Sequence, residues 1–297
     1  MLKSTVVIAA AFCLIFSLPA QALNTRTWVS GAGIDQAGCG PIGNPCRTLQ
    51  FAHDQTASGG EINFKDSAGY GGVVITKAIN IVAEGVLAGV LAPAGRDAIE
   101  INASPNDTVL LRALTVEGAG VGRTGIVFNS GHKLDIADCV VQNFVGAGGL
   151  AGGGSIVVRP VSGKSDIIIA GTSASHNPSA AGILASLPSD SSANVRITID
   201  HVIASDNSYG IVLDTFSTSS GYITAAVINT LVAANSQDGL VFEGANVNGS
   251  FALSSILHTA RYGVAAYSNP NVLSFGNNQF SGNGNDVTGT IGTAKLK

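Results

Sequence analysis

A glycine followed by two or three apolar residues returns along this chain at nearly fixed spacing. It reads Gly125-Ile126-Val127-Phe128, Gly182-Ile183-Leu184-Ala185, Gly210-Ile211-Val212-Leu213 and Gly239-Leu240-Val241-Phe242. The intervals are 57 residues, which is two repeats, then 28, then 29. Gly154-Ser155-Ile156-Val157 fills the gap, and Gly263-Val264-Ala265-Ala266 continues the series. A period of this length marks a repeat architecture in which each unit buries its apolar face against the next. Short apolar strands separated by turn residues make that architecture a β-solenoid.

A second signature has the same period. Ala174-Ser175-His176-Asn177, Ala204-Ser205-Asp206-Asn207 and Ala233-Ala234-Asn235 each precede the next glycine block, and an apolar strand precedes each of them. Each coil therefore carries several short strands. Asn suits the turns because it tolerates the left-handed region and bonds nearby backbone, and stacked Asn side chains form ladders between in-register strands. Wider loops fall at one phase of the repeat, at 103–107, 160–165, 187–193, 215–221 and 244–249. Insertions on one face of a solenoid often mark its binding face.

Composition narrows the function classes. Charged residues are 11% and the net charge is −4, with the 15 Lys and Arg scattered. That leaves no basic face for nucleic acid. Residues 1–22 read as a secretory signal peptide. Lys3 supplies the positive start, Val6 to Leu18 the apolar stretch, and Ala20-Gln21-Ala22 the small-x-small cleavage site. The apolar run is short for a bilayer span, no later segment is longer, and the mature chain is expected to be secreted or periplasmic. Cys39 and Cys46 flank a Gly/Pro-rich loop, and export favours a disulfide between them. Two thiols without a matching His or Cys pair fall short of a zinc shell. Cys139 lies in a periodic apolar stretch and reads as a small buried hydrophobe.

The N-terminal part differs from the body. Arg26 to Ser30 reads as a strand and Arg47 to Thr56 as a helix that Gly59-Gly60 stops. Glu61 to Phe64 follows as a strand and Gly69 to Gly72 as a turn. In Val73 to Val82, Val73, Ile75, Ile79 and Ile81 share one face, but Lys77 falls on it too, which predicts a strand break there. The words Asn44-Pro45-Cys46-Arg47-Thr48-Leu49, Gly59-Gly60-Glu61-Ile62, Gly69-Tyr70 and Ile75-Thr76-Lys77-Ala78-Ile79 resemble the start of secreted pectin-lyase-like proteins. The resemblance implies an all-β, right-handed parallel β-helix over 23–297, with a short N-terminal capping helix and a cap at 23–68. One fold hosts many functions, so the resemblance carries no activity with it.

Aligning the repeats places Ile136, Ile169, Ile199 and Val227 in one column and Lys133, Asp166, Arg196 and Thr224 in another, which reads as a surface charge ladder. Asp138, Gly171, His201 and Asn229 form a third column, and the Asn turns set His176 one coil from Asp206. A His beside a carboxylate suits general-base work or a sugar hydroxyl. His176, Asp206, His201 and Asp138 are therefore the catalytic candidates, set against their reading as solvated polar turns. Tyr209, Phe216, Tyr222 and Tyr262 are the candidate stacking residues for binding, set against scattered core or loop aromatics.

The enzymes of this fold family offer a further test. Polygalacturonase-like enzymes carry Asn-Thr-Asp, Asp-Asp, Gly-His-Gly and Arg-Ile-Lys words. The chain has only Arg196-Ile197-Thr198, without the Lys. Pectate-lyase-like enzymes need acidic calcium ligands on neighbouring coils. Asp135 and Asp138 face Ile168 and Gly171 instead, and Arg159 lacks acidic neighbours that would make it a proton-abstracting base. No metal and no cofactor are expected. The sequence reads best as an exported, non-catalytic binding or surface protein with polysaccharide as its partner. The alternatives are a polysaccharide lyase or glycoside hydrolase with a divergent site, and a structural or adhesive envelope component. Processing is directly testable: mass spectrometry of exported protein should find Leu23 at the mature N-terminus, and intact Met1–Lys297 in a membrane fraction would refute cleavage.

Overall fold

The computed structural model describes residues 23–146 and 153–295; the segment 1–22, read from sequence as a signal peptide, lies outside the described residues. The body is a right-handed parallel β-helix. Each coil passes through sheet I, then sheet II, then sheet III, and returns to sheet I one strand further on. Sheet I has eleven strands, and sheets II and III have nine each. A representative coil is Asn194–Asp200 in sheet I, Ile203–Ser205 in sheet II and Tyr209–Asp214 in sheet III.

The repeat columns read from sequence are the inter-strand register. Ile136, Ile169, Ile199 and Val227 are consecutive partners in sheet I. Ile126, Ile156, Ile183, Ile211, Leu240 and Val264 are consecutive partners in sheet III. Both columns point inward and are buried. With a side-chain period of two, a one-residue slip would turn each such column out to solvent, so the apolar pattern itself holds the register. The wider loops all join sheet III to sheet I. Two are shorter than expected, because the strands Lys164–Ala170 and Val247–Ala252 already include their last residues.

The corners are turned by single left-handed residues. Between sheets I and II these are Asp138, Gly171, His201, Asn229 and Leu253, and between sheets II and III Asn143, His176, Asp206, Ala234 and His258, all with φ between 50° and 64°. A left-handed conformation costs a non-glycine residue roughly 1–2 kcal/mol. Asn, Asp and His adopt it more readily than most other residues. The cost is offset by bonds to the next coil, such as His176 N–H to the Ser205 carbonyl at 3.1 Å.

Next to the second corner runs a buried amide ladder. The Asn177 Oδ1 accepts from the Phe144 N–H at 2.9 Å, the Asn207 Oδ1 from the Asn177 N–H at 3.2 Å, and the Asn235 Oδ1 from the Asn207 N–H at 3.1 Å. The Asn207 Nδ2 donates back to the Ala174 carbonyl at 3.1 Å. The repeated glycine follows from this packing. A Cβ on Gly182 would stand 2.7 Å from the Asn207 amide nitrogen, and one on Gly210 would stand 2.5 Å from the Gly239 carbonyl oxygen. One assignment is corrected: Gly154 pairs with Ala181, so Ser155, not Gly154, takes the glycine place in its coil. Ser155 is tolerated there because its hydroxyl donates to the Val141 carbonyl and accepts from Asn177 Nδ2, ending the ladder.

The N-terminal end is closed by a strand, Asn24–Val29, which pairs in parallel with Thr56–Phe64, and by helix α1, Leu49–Gln55. Thr48 caps α1 by accepting from the Phe51 N–H, and Asp35 accepts from the Arg47 and Thr48 backbones. The helix stops at Thr56 rather than at Gly59-Gly60. Those glycines lie inside the following strand, where the pairing with Asn24–Val29 shifts register. The expected turn at Gly69 begins one residue later, because Ala68–Gly69 is a short strand of sheet II. Lys77 sits at the expected break between Val73–Ile75 and Ile79–Val82, and its Nζ donates to the Thr56 carbonyl at 2.5 Å. Cys39 and Cys46 are joined in a disulfide, and Cys139 is free and buried, which pushes its thiol up to about 11.

The amide ladder yields a stability prediction. Asn207→Ala leaves the Asn177 N–H without its acceptor in the interior, at a cost of about 1–3 kcal/mol. Thermal unfolding should shift down by roughly 5 °C or more, while exposed Asn194→Ala on the adjoining strand leaves Tm unchanged. Equal effects of the two substitutions would disprove a structural role for the ladder.

Candidate binding groove on sheet III

Along each sheet III strand the residue between two inward side chains faces out. Val127, Val157, Leu184, Val212, Val241 and Ala265 form this outward column, yet none is more than 3% exposed. Tyr209, Tyr262 and Tyr267 pack against the column, and Val157 and Leu184 floor an opening between flanking side chains; we treat the face as a groove along the helix axis with an apolar floor.

One flank follows the repeat itself. The fourth residue after each glycine place is outward and polar: Asn129, Arg159, Ser186, Asp214, Glu243 and Tyr267. Asp214 is 7% exposed, and its carboxylate accepts from Ser186 Oγ at 2.8 Å and from the Phe216 N–H at 2.7 Å. Glu243 pairs in register with Asp214 on one side and Tyr267 on the other. Burial, then the neighbouring Asp214 charge, hold its carboxyl above the ordinary glutamic acid range. Near Arg123 and Arg159 the groove widens into a pocket of about 350 Å³.

The other flank carries Arg123, which makes a two-pronged ion pair with Asp97, and further along Asp238 with Arg261. Asp238 is fully buried. It accepts from Arg261 Nε at 2.7 Å and Nη2, from the Tyr262 N–H at 3.2 Å and from Tyr267 Oη at 3.1 Å. Burial, then the Asp238 charge, push the Tyr267 hydroxyl up to about 12. The Arg261 guanidinium lies 5.5 Å from the Tyr262 ring centre and 6.0 Å from that of Tyr267. Tyr209, Tyr262 and Tyr267 pack against the apolar floor. This lattice fixes aromatic faces at the C-terminal half of the groove.

The residues singled out from sequence are placed differently. His176, Asp206, His201 and Asp138 are all left-handed corner residues. His176 Nε2 stands 4.0 Å from Asp206 Oδ2, both side chains are more than half exposed, and the pair borders a depression with Phe144, Val145 and Pro178. His201 contacts its neighbour Asp200 at 2.8 Å, and Asp138 lies 3.5 Å from Arg112, so His201 and Asp138 do not meet. In the charge column Asp166 and Arg196 pair through two bonds of 2.6 Å. Lys133 does not extend that ladder, because it turns along its own strand to Asp135 at 2.8 Å. Of the aromatic candidates, Tyr209 and Tyr262 share the groove. Phe216 lies on the loop after Asp214, and Tyr222 starts a sheet I strand. Sequence reasoning weighed Arg159 only as a base and missed Arg123, Asp214, Glu243, Asp238, Arg261 and Tyr267. The fixed fourth place after the glycine was the signal for Asp214, Glu243 and Tyr267.

Among the described residues, no three His, Cys, Asp or Glu side chains converge to hold a metal ion, and no helix is long and apolar enough to cross a membrane. No family profile and no curated protein matches the chain. Solved structures do. Pectate lyase Pel9A is 12% identical, with 93% of this chain and 79% of that chain covered and a TM-score of 0.52. The periplasmic alginate epimerase AlgG is 12% identical, covering 80% and 75%, with a TM-score of 0.41. The Azotobacter vinelandii mannuronan C-5 epimerase AlgE6 A-module is 11% identical, covering 84% and 95%, with a TM-score of 0.34. The likeness to Pel9A establishes the fold class, a pectin-lyase-like right-handed β-helix.

The raised Glu243 carboxyl has a consequence for stability. As pH rises above the ordinary glutamate range, the unfolded chain ionises Glu243 before the folded chain does, so the folded state loses stability over that window. Glu243→Gln removes the penalty. The variant should gain Tm relative to wild type as pH is raised from acid to neutral, and a constant difference across that range would show that Glu243 is not held protonated.

Proposed function

We propose that this chain is an exported β-helix protein that binds a polysaccharide along sheet III without cleaving it. In this reading residues 1–22 are removed, and 23–297 form one domain with its cap at 23–68. The observation that carries the reading is the outward apolar column, which is buried between polar flanks and runs across successive coils. A long groove with an apolar floor, flanking tyrosines and charged side chains suits an extended chain of sugars, whose rings have apolar faces and hydroxyl edges. Likeness of fold to a protein described as a pectate lyase supports the ligand class.

A second reading has its own observation. Asp214 and Glu243 are paired carboxyl groups in the groove, one engaged by two donors and the other held toward its protonated form. That division of roles suits acid-base cleavage of a glycosidic bond, which usually needs two carboxyl groups. One experiment separates the readings. The mature protein is screened on a glycan array beside reducing-end and unsaturated-product assays. Binding without products, lost in the Tyr209→Ala/Tyr262→Ala double variant with unchanged circular dichroism, is the expected result. Products that vanish in Glu243→Gln would establish the catalytic reading instead.

A further inference from the structure

We infer that the groove selects a sparsely charged glycan, with one oxyanion substituent seated at Arg159 and uncharged sugars for two coils on either side. The inference rests on the polysaccharide-binding reading and assigns its ligand chemistry. Arg159 follows the strand Gly154–Val158, and its Nε donates to Asn129 Oδ1 at 3.1 Å. It makes no ion pair with an acidic side chain among the described residues. Its neighbour in the pocket, Arg123, is already neutralised by Asp97. The pocket therefore offers one unmatched guanidinium, beside the Ser186 and Ser217 that also line it. A guanidinium with free N–H groups binds a carboxylate or a sulfate ester by charge-assisted hydrogen bonds.

Carboxyl groups bracket that positive place. Two coils toward the N-terminus Glu100 faces outward, bonded by Asn102 and near Asn129. Two coils toward the C-terminus stands Asp214, and one coil further Glu243. Glu100 is linked to Arg159 through Asn129, whose Nδ2 donates to Glu100 while its Oδ1 accepts from Arg159, and with coils ~4.8 Å apart Asp214 lies ~10 Å from Arg159 along the groove. An extended glycan advances by about one sugar per coil. A polymer charged at every sugar would lay anions against Asp214 and Glu100, over an apolar floor where like charges interact more strongly than in water. Tyr209 stands in the Asp214 coil, beyond Glu243 the groove presents Tyr262 and Tyr267, and the Arg261 charge there is balanced by buried Asp238. That end fits neutral sugar faces.

Affinities of the mature protein are measured for deacylated gellan, whose tetrasaccharide repeat carries a single glucuronate, for its carboxyl-reduced form, and for polygalacturonate, charged on every sugar. A lightly sulfated sample of the carboxyl-reduced polymer tells a sulfate site from a carboxylate site. Gellan, or the sulfated polymer, should bind roughly tenfold more tightly than the neutral form, the size of one charged hydrogen-bonded contact. Arg159→Gln should erase that difference, so that the charged and neutral polymers bind alike. Polygalacturonate should bind worst and improve in the Asp214→Asn/Glu243→Gln variant. Polygalacturonate binding wild type as tightly as gellan overturns the inference without any variant, as does equal binding of the charged and neutral forms, which leaves the binding reading intact. Binding of no polysaccharide at all overturns both.

Discussion

The structure depends on coils stacking in register, and the interaction that enforces this at the tightest corner is the buried Asn ladder. A parallel three-sheet coil must change direction within one or two residues, which leaves backbone N–H groups turned into the interior. Unpaired, each would cost about 1–3 kcal/mol. Asn177, Asn207 and Asn235 supply the missing acceptors from one coil to the next, and the amide nitrogens of Asn207 and Asn235 return the bond to a backbone carbonyl. Because the side chains fill the corner, the following residue has no room for a Cβ at Gly182 or Gly210. The Asn and the glycine are two halves of one packing solution, and both recur at the period of the coil.

The same corners account for the residue types that look most chemical in the sequence. His176, Asp206, His201 and Asp138 occupy left-handed positions, where short polar side chains are favoured over aliphatic ones for backbone reasons. A His one coil from an Asp is what such corners produce by themselves. The His176–Asp206 pair stands 4.0 Å apart with both side chains more than half exposed to water.

Sheet III offers different physics. Its outward valines and leucine are shielded by their flanks, so charges beside them act through a medium less screened than bulk water. That shielding holds Glu243 toward its neutral form and makes the Asp238–Arg261 pair a rigid support rather than a surface ion pair. By contrast, Asp166 and Arg196 make an equally well-aligned pair in the open, where solvent screens it and its contribution to stability is small.

Much of this fold is legible in the sequence, because the determinants of a solenoid are local. The period, the inward columns of Ile and Val, the Asn corners, the break at Lys77 and the closeness of Cys39 to Cys46 all follow from spacing and side-chain type. What only the tertiary structure decided is lateral. Ser155 takes a glycine place because Val141 and Asn177, 14 and 22 residues away, offer its hydroxyl partners. Gly59-Gly60 stays in a strand because Gly60 pairs with Ile79 and the Gly59 N–H donates to the Ala78 carbonyl. Lys133 turns to Asp135 rather than Asp166 because a partner on its own strand lies within reach. The groove is of this kind too. An alternating strand marks Val212 and Val241 as outward, but whether outward means exposed depends on flanks built from neighbouring coils. Burial of the floor, and with it the chemistry of Asp214, Glu243 and Arg159, is a property of the stack and not of any single repeat.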